Sequence, residues 1–184
     1  MVLTETPICN FGEKAKDFNL LSIENNKLSL NDIKGENGTL IMFICNHCPY
    51  VKAVIKDIVQ DVKFLESLGI KSAAIMSNDT KNYPEDSFEN MISFSKLHSF
   101  SFPYLIDETQ EVAKKYNAVC TPDFFGYDKN LELQYRGRIR ELKNLKPVRK
   151  GDSDLKIAMQ QIAKTGKGPA NQIPSMGCNI KWFK

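Results

Sequence analysis

The sequence predicts an α/β fold in which a mixed central sheet is flanked by helices and carries an N-terminal β-hairpin extension. Two continuous apolar runs, 39–44 and 70–76, have the composition of strands that are buried on both faces. Between these runs, apolar residues recur at helical spacing from Pro49 to Leu68, which indicates a β-α-β unit. Two further strand-like runs within 118–139 precede a helical segment, so the chain closes with an antiparallel hairpin and a helix.

The elements are expected in the order hairpin, strand, helix, strand, helix, strand, helix, hairpin, helix. Alternating residues around Asn25 and Asn26 predict the first hairpin, within 17–35, and Gly69 ends the helix that begins at Pro49. The remaining elements are a helix at 84–98, a short strand at 103–107, a helix at 108–117, a hairpin at 118–139 that turns at 128–130, a basic loop at 140–152 and a helix at 153–166. We expect the basic stretch 136–150 to be a solvated face, and the alternative is a surface for an anionic partner or substrate. We expect three regions: an N-terminal segment (1–11), one domain (12–166) and a flexible C-terminal tail (167–184).

The composition favours an ordinary globular protein without nucleic acid or membrane partners. The chain has 184 residues, and its 25 basic and 22 acidic residues leave a net charge of only +3. Neither a signal-peptide pattern nor an apolar run of membrane-spanning length is present, so we expect a cytoplasmic location. In that reducing compartment the five cysteines are expected to be thiols, metal ligands or catalytic groups rather than structural disulfides. We expect no cofactor.

The stretch FICNHCPYVKAV, residues 43–54, holds the candidate nucleophile. Proline suits the first position of a helix, so Pro49 places Cys48 at the N-cap of the predicted helix. Unpaired N–H groups and the helix dipole lower the pKa of a thiol there, from about 8.5 to roughly 3.5–7.5, and the thiolate is the reactive form. The alternative is that Cys48 is a buried, inert thiol.

Four stretches of the chain resemble the thioredoxin superfamily, and in particular its peroxiredoxin-like (redoxin, AhpC/TSA-domain) proteins. They are GEKAKDFNL (12–20), FICNHCPYVKAV (43–54), YLIDETQEVAKKYNAVCTP (104–122) and VCTPDFF (119–125). The resemblance implies a thioredoxin-like fold and a redox-active cysteine. It also implies a cis peptide bond between Thr121 and Pro122, facing the active site and aligning a substrate chain.

The same resemblance implies an unusual register for the two neighbouring cysteines. In thioredoxins the attacking cysteine follows the strand phenylalanine by five positions, and here that position, counted from Phe43, is Cys48. The resolving cysteine would then fall at Val51, so Cys45 is not the usual partner. In the peroxiredoxin frame the attacking cysteine itself would fall at Val51, and we find no arginine near Pro122 in the sequence. A standard peroxidase is therefore disfavoured.

Three cysteines remain candidates for the partner of Cys48. Cys45 can form a disulfide with it if the α-carbons lie within about 7 Å. Cys120 precedes the Thr121-Pro122 loop, and Cys178 lies in a tail that could swing towards the site. The alternative for each of the three is a buried thiol that packs in the fold and has no redox role. Cys9 lies in no motif, and we expect no role for it.

His47 offers a second functional group beside Cys48. As an imidazolium it can stabilise the Cys48 thiolate, and the alternative is an exposed loop histidine. Zinc is a further possibility, because Cys45, His47, Cys48 and either Cys120 or Cys178 offer sulfur and nitrogen ligands. However, the sequence has neither a second C-x-x-C nor an H-x-x-x-H pair, so we expect no metal.

The sequence thus predicts a thiol–disulfide oxidoreductase or antioxidant protein in which Cys48 attacks and a second cysteine resolves. The expected partners are protein or small-molecule disulfides, or a peroxide, together with a thiol reductant. Two alternatives stay open: a thiol-dependent peroxidase, and a binding module that keeps the fold without turnover. The oligomeric state is left open.

Overall fold

The computed structural model describes residues 2–184 and has a seven-stranded mixed sheet at its centre. Across this sheet the strand order is β3-β2-β6-β5-β4-β8-β9. β4 runs parallel to β5, and β5 to β6, whereas the other neighbours are antiparallel. The strands of the chain are β1 (Leu3–Glu5), β2 (Asn19–Ser22), β3 (Lys27–Ser29), β4 (Gly38–Phe43), β5 (Ile70–Met76), β6 (Tyr104–Ile106), β7 (Cys120–Thr121), β8 (Asp123–Tyr127), β9 (Leu133–Arg136), β10 (Leu142–Lys143), β11 (Lys146–Pro147) and β12 (Met176–Asn179). The predicted α/β class, with a thioredoxin-like mixed sheet, is confirmed.

Four helices flank the sheet: α1 (Pro49–Glu66), α2 (Phe88–His98), α3 (Glu111–Lys115) and α4 (Asp154–Thr165). Apolar residues of α1, α2 and α4 share one core cluster, and those of α3 belong to a second cluster on the opposite face. The helix expected at 84–98 instead starts as a 3₁₀ turn, Pro84–Asp86, and Ser87 caps the α-helix that follows. None of the helices within residues 2–184 is long and apolar enough to cross a bilayer.

β4 is an interior strand of the sheet, between β5 and β8, and is buried along its whole length. Leu40 and Met42 point to the face covered by α1, α2 and α4, while Ile41 and Phe43 point to the other face. This double burial explains why the segment reads as a continuous apolar run rather than as an alternating one.

The C-terminal segment is an ordered part of the fold, so the expectation of a flexible tail is wrong. β12 lies between β1 and β7 in a second, three-stranded sheet. In this sheet Cys178 stands opposite Thr121 on one side and opposite Leu3 on the other. Both ends of the chain are thereby packed against the segment that leads into Pro122.

The segment 140–152 is exposed over most of its length, as expected of a basic, solvated face, but it is not an irregular loop throughout. It contains a small hairpin formed by β10 and β11, and the arginines in and before it are paired. Arg136 contacts the buried carboxylate of Asp123 at 3.0 Å, and Arg140 lies 3.0 Å from Asp57. Arg136 and Arg140 are therefore paired within the fold, whereas Lys143, Lys146 and Lys150 lie on the exposed surface.

Candidate active site

Cys48 occupies the predicted position at the start of α1. The helix begins at Pro49, and Cys48 is the N-cap with an extended backbone (φ −63°, ψ 122°). Its side chain is fully buried, and its Sγ lies 3.2 Å from the carbonyl oxygen of Thr121. The expected N-cap geometry is confirmed, and the thiol faces the segment before Pro122 instead of solvent.

The peptide bond between Thr121 and Pro122 is cis, as the resemblance implies. This bond separates β7 from β8, and β8 pairs with β4 so that Asp123 lies opposite Phe43. The backbone of Thr121 thereby comes to rest against the N-terminus of α1. The same short strand presents its other edge to β12.

Cys178 lies directly beside Cys48, with 2.7 Å between the two Sγ atoms. The neighbouring Gly177 makes this approach possible, since a Cβ at that position would lie 2.1 Å from the carbonyl oxygen of Thr121. Ser175 adds a further link, because its hydroxyl donates to the carbonyl oxygen of Pro122 at 2.7 Å. Among the candidate partners, the structure thus places the C-terminal cysteine in contact with Cys48.

Cys45 is also buried and hydrogen-bonds to Cys48, and its Sγ lies 3.4 Å from the hydroxyl oxygen of Thr121. Its pKa is raised well above the ordinary value, first because its S–H donates to Cys48 and next because it is buried. The nearby negative charge of Asp86 raises the pKa of Cys45 further. Cys45 is therefore held in the protonated state.

The pKa of Cys48 is lowered to about 5. The largest cause is the hydrogen bond from Cys45, and it outweighs the opposing effect of burial. The thiol of Cys178 and the backbone N–H of Val51 add smaller contributions. The sequence predicted that the start of the helix would lower the pKa of Cys48, but the largest contribution comes from Cys45. Cys178 itself has a raised pKa, because of burial and of its hydrogen bond with Cys48.

Asp86 organises the loop that carries these cysteines, and sequence reasoning missed it. Its side chain is fully buried. One carboxylate oxygen accepts from the backbone N–H groups of Asn46 (2.8 Å) and His47 (3.3 Å). The other lies 2.7 Å from Nδ1 of His47 and accepts from the side-chain amide of Asn78 at 2.8 Å. Asp86 thus holds the 45–48 loop by three contacts, and a fourth ties it to Asn78.

These contacts set the charge state of His47 and Asp86. The hydrogen bond to Asp86 raises the pKa of His47 above its ordinary value. Burial alone would raise the pKa of Asp86, but the hydrogen bonds from His47 and Asn78 keep it below its usual range. The imidazole is 24% exposed and stacks on Tyr83 with ring centroids 5.7 Å apart. His47 and Asp86 thus form a hydrogen-bonded pair at the rim of the site, and the pKa of each is shifted in the direction that favours its charged form.

The cluster of Cys45, His47 and Asp86 places three possible metal-ligand atoms within 4.8 Å of one another. Each carboxylate oxygen of Asp86, however, already has two hydrogen-bond donors. The cluster is thus satisfied as a hydrogen-bonded network.

The other two cysteines lie outside these contacts. Cys120 is buried, its Sγ lies 3.7 Å from the carbonyl oxygen of Pro122, and burial raises its pKa. Cys9 is half-buried near Arg136, and burial raises its pKa to about 11. Of the sequence-predicted residues, the structure therefore brings together Cys45, Cys48, Cys178 and Thr121, with His47 and Pro122 adjoining them.

The protein belongs to the thioredoxin-like class. It has the mixed sheet of that class, a cysteine at the start of the first helix and a cis-proline that faces this cysteine. Residues 11–141 match the model of the AhpC/TSA family, and the chain belongs to that family. Comparison with curated proteins gives no match.

Solved structures share the fold. An uncharacterized conserved protein from Geobacillus kaustophilus is 39% identical with a TM-score of 0.94, over 100% of this chain and 97% of that one. A hypothetical protein from Sinorhizobium meliloti 1021 is 34% identical with a TM-score of 0.90, over 98% of each chain. A secreted disulfide oxidoreductase from Mycobacterium tuberculosis shares the fold at 15% identity, with a TM-score of 0.55 over 64% of this chain and 80% of that one.

Proposed function

We propose that the protein is a thiol–disulfide oxidoreductase in which Cys48 is the attacking thiolate and Cys178 is the resolving cysteine. The observation that carries this proposal is the 2.7 Å contact between their Sγ atoms. A thiolate is the nucleophile in disulfide exchange, and the lowered pKa of Cys48 keeps it deprotonated at neutral pH.

The reaction has two exchange steps. The Cys48 thiolate attacks one sulfur of a substrate disulfide, so that a mixed disulfide forms and the first substrate thiolate leaves. Cys178 then loses its proton and attacks the Cys48 sulfur, which forms the Cys48–Cys178 disulfide and releases the second substrate thiolate. The substrate gains two electrons, and the protein loses two. A thiol reductant returns the protein disulfide to two thiols.

In this scheme Cys45 acts as a hydrogen-bond donor to the reacting sulfur. Its proton is retained because burial and the charge of Asp86 both oppose the Cys45 thiolate. His47 and Asp86 hold the loop in the geometry that this donation requires. We place the reaction in the cytoplasm, where a thiol reductant is at hand, and give it an antioxidant role in repairing oxidised thiols.

Counting the thiols released tests this assignment. Reduced protein is mixed with an equimolar amount of 2-hydroxyethyl disulfide, and the released thiol is measured. The wild type is expected to release two thiols per disulfide. Cys178→Ser should release one and retain a mixed disulfide on Cys48, and Cys48→Ser should release none. Cys9→Ser is the matched control and should behave as the wild type. An unchanged yield of released thiol from Cys48→Ser would contradict the proposal.

A thiol-dependent peroxidase is the second candidate, and membership of the AhpC/TSA family favours it. The Cys48 thiolate would attack a peroxide oxygen and become a sulfenic acid, with release of water or an alcohol. Condensation with the Cys178 thiol would then give the same disulfide and a further water. Stopped-flow measurement of Cys48 oxidation by hydrogen peroxide tests this second function. An oxidation rate no faster than that of free cysteine would contradict it.

A further inference from the structure

Asn78 lies at the edge of the sheet from which the loop of Cys45 and Cys48 emerges. β4 and β5 run parallel, so the segments that follow them leave the sheet at the same edge. The segment after β4 carries the two cysteines, and Asn78 is the second residue after the end of β5. Its side chain is buried, and a buried amide is expected to use its donor and acceptor in hydrogen bonds.

The Asn78 side chain bonds in two directions. Its amide N–H donates to a carboxylate oxygen of Asp86 at 2.8 Å, and its carbonyl oxygen accepts from the backbone N–H of Lys181 at 2.9 Å. Asp86 in turn holds the 45–48 loop through the contacts described above. Lys181 lies three residues after Cys178. One side chain thus joins the loop that carries Cys48 to the segment that carries Cys178.

The other end of β12 is fastened in a different way. The backbone N–H of Thr6 donates to the Ser175 carbonyl at 2.9 Å, and the N–H of Ser175 donates to the Thr6 hydroxyl at 3.0 Å. These bonds hold β12 to the segment that follows β1, which belongs to the same three-stranded sheet. They fix the strand within its own sheet, whereas the bond from Asn78 fixes it relative to the 45–48 loop.

The relative position of the two sulfurs decides how fast they exchange. Cys48 is held by the start of α1, and Cys178 is held by β12. Displacement of a reacting group by about 1 Å can slow a reaction by about 10². A buried side chain that is hydrogen-bonded towards both segments limits the movement of one against the other. Truncation of that side chain removes both bonds at once.

We propose that Asn78 is a positioning residue for the exchange, because it links Asp86 to Lys181 and so holds Cys178 where it can attack the sulfur of Cys48. The proposal rests on the proposed function and concerns its second step. In that step the Cys178 sulfur bonds to the Cys48 sulfur, and the bond between Cys48 and the substrate sulfur breaks. The substrate thiolate leaves with the electron pair and takes up the proton that Cys178 has released. Asn78 forms no bond with the reacting atoms.

Separating the two steps in time tests this role. Reduced protein is mixed with 2-hydroxyethyl disulfide, and the first and second thiols released are followed by acid quench. In Asn78→Ala the first thiol is expected at close to the wild-type rate, because the hydrogen bond from Cys45 still activates Cys48. The second thiol is expected at least ten times more slowly, with a mixed disulfide on Cys48. A second thiol at the wild-type rate would overturn the proposal, as would equal slowing of both steps.

Asn82→Ala is the matched control for the loss of an asparagine side chain. The Asn82 amide donates to the carboxylate of Asp79, outside the path from Asp86 to Lys181. Both thiols should therefore be released at wild-type rates. A second step that is as slow in this variant as in Asn78→Ala would overturn the assignment.

Asn78→Asp provides a readout that a general loss of structure would not change. The new carboxyl group has nearly the shape of the amide, so this variant also keeps the test available if Asn78→Ala does not fold. When ionised, the group can accept from Lys181 but repels Asp86. When protonated, its O–H can donate to Asp86 as the amide did. The rate of the second step, divided by the wild-type rate at the same pH, should therefore rise as the pH falls from 8 to 5.

The division by the wild-type rate accounts for the other groups that titrate near this position. The charged and titratable neighbours, present in both proteins, are Asp86, His47, Cys45, Asp79 and Lys181. A ratio that stays constant over this pH range would show that the link to Asp86 does not position Cys178, and would overturn the proposal.

The oxidant diamide separates this proposal from the proposed function. If diamide fails to produce the Cys48–Cys178 disulfide in the wild type, the proposed function itself fails. If the wild type forms this disulfide and Asn78→Ala forms it equally fast, only the role of Asn78 is wrong.

Discussion

The Sγ atoms of Cys48 and Cys178 lie 2.7 Å apart, although the two residues are separated by 130 positions in the sequence. The contact exists because β12 pairs with β7 and brings Cys178 opposite Thr121. Within the C-x-x-C stretch, by contrast, Cys45 hydrogen-bonds to Cys48 from a protonated thiol. The proposed function accordingly assigns resolution to Cys178 and activation of Cys48 to Cys45.

Removing the Cys45 thiol should raise the pKa of Cys48. Hydrogen bonds to charged groups contribute about 1.5–3 kcal/mol, and one pKa unit corresponds to about 1.4 kcal/mol. Cys45→Ala is therefore expected to raise the pKa of Cys48 by about one to two units. Thiolate absorbance at 240 nm, titrated from pH 3 to 9, measures this without requiring access to the buried sulfur. Cys120→Ala is the matched buried control, and an equal shift in that variant would contradict the assignment.

The pair of His47 and Asp86 should show itself in the pH dependence of stability. Folding raises the pKa of His47, so its contribution is complete below the ordinary value of about 6.5 and is lost as the pH rises through the folded-state pKa. The free energy of unfolding of the wild type, minus that of His47→Gln, should accordingly decrease from pH 5.5 to pH 8. A difference that stays constant over this range would argue against the pair.

Proton NMR of the two histidines provides a direct control for the same pair. Asp86→Asn should lower the pKa of His47, because the carboxylate that stabilises the imidazolium is gone. His98 has a pKa that is lowered by burial and by Lys52 and Lys56, and the change should not affect it. Equal shifts of both histidines would indicate a general unfolding effect instead.

Gly177 should be required for the approach of β12. An alanine Cβ would lie 2.1 Å from the Thr121 carbonyl oxygen, so the strand must shift away. Overpacking of this kind costs about 1–3 kcal/mol, and displacement of a reacting group by about 1 Å can slow a reaction by 10². Gly177→Ala is expected to form the Cys48–Cys178 disulfide at least ten times more slowly under diamide. Met176→Ala, the exposed neighbour, should form it at the wild-type rate.

The buried pair of Arg136 and Asp123 should be a stability determinant near the cis-proline. Burial raises the pKa of Asp123 to about 6 even with Arg136 at 3.0 Å. Arg136→Met leaves that charge unpaired and is expected to cost about 3–5 kcal/mol of unfolding free energy at pH 8. The loss should shrink at pH 5, where Asp123 is protonated. Lys14→Met breaks the exposed pair with Glu132 and should cost less than about 1 kcal/mol.

The elements built from local signals could be predicted from the sequence. The apolar run of β4 and the proline at the start of α1 place Cys48 at the N-cap, because both signals act within a few residues. The cis bond before Pro122 follows from resemblance to a known motif. These features share one property: the residues that determine them are close together in the sequence.

The pairing of β12 could not be predicted in the same way. Met176–Asn179 is only four residues long, contains a glycine and shows no clear alternation, so local propensity does not mark it as a strand. Its order comes from β1 and β7, which are distant in the sequence. The role of Asp86 could not be predicted for a related reason. An acidic residue before a helix ordinarily indicates only that it stabilises the start of that helix. Its contacts to Asn46 and His47 span about 40 residues.

The most direct test is to identify the disulfide that forms first in the native protein. Reduced protein is oxidised with a substoichiometric amount of 2-hydroxyethyl disulfide, quenched in acid, alkylated and mapped by mass spectrometry. The account predicts a disulfide between Cys48 and Cys178, with Cys45 alkylated as a thiol. A first disulfide between Cys45 and Cys48 would contradict it, because Cys45 would then be the resolving cysteine and the C-terminal strand would not take part in the exchange.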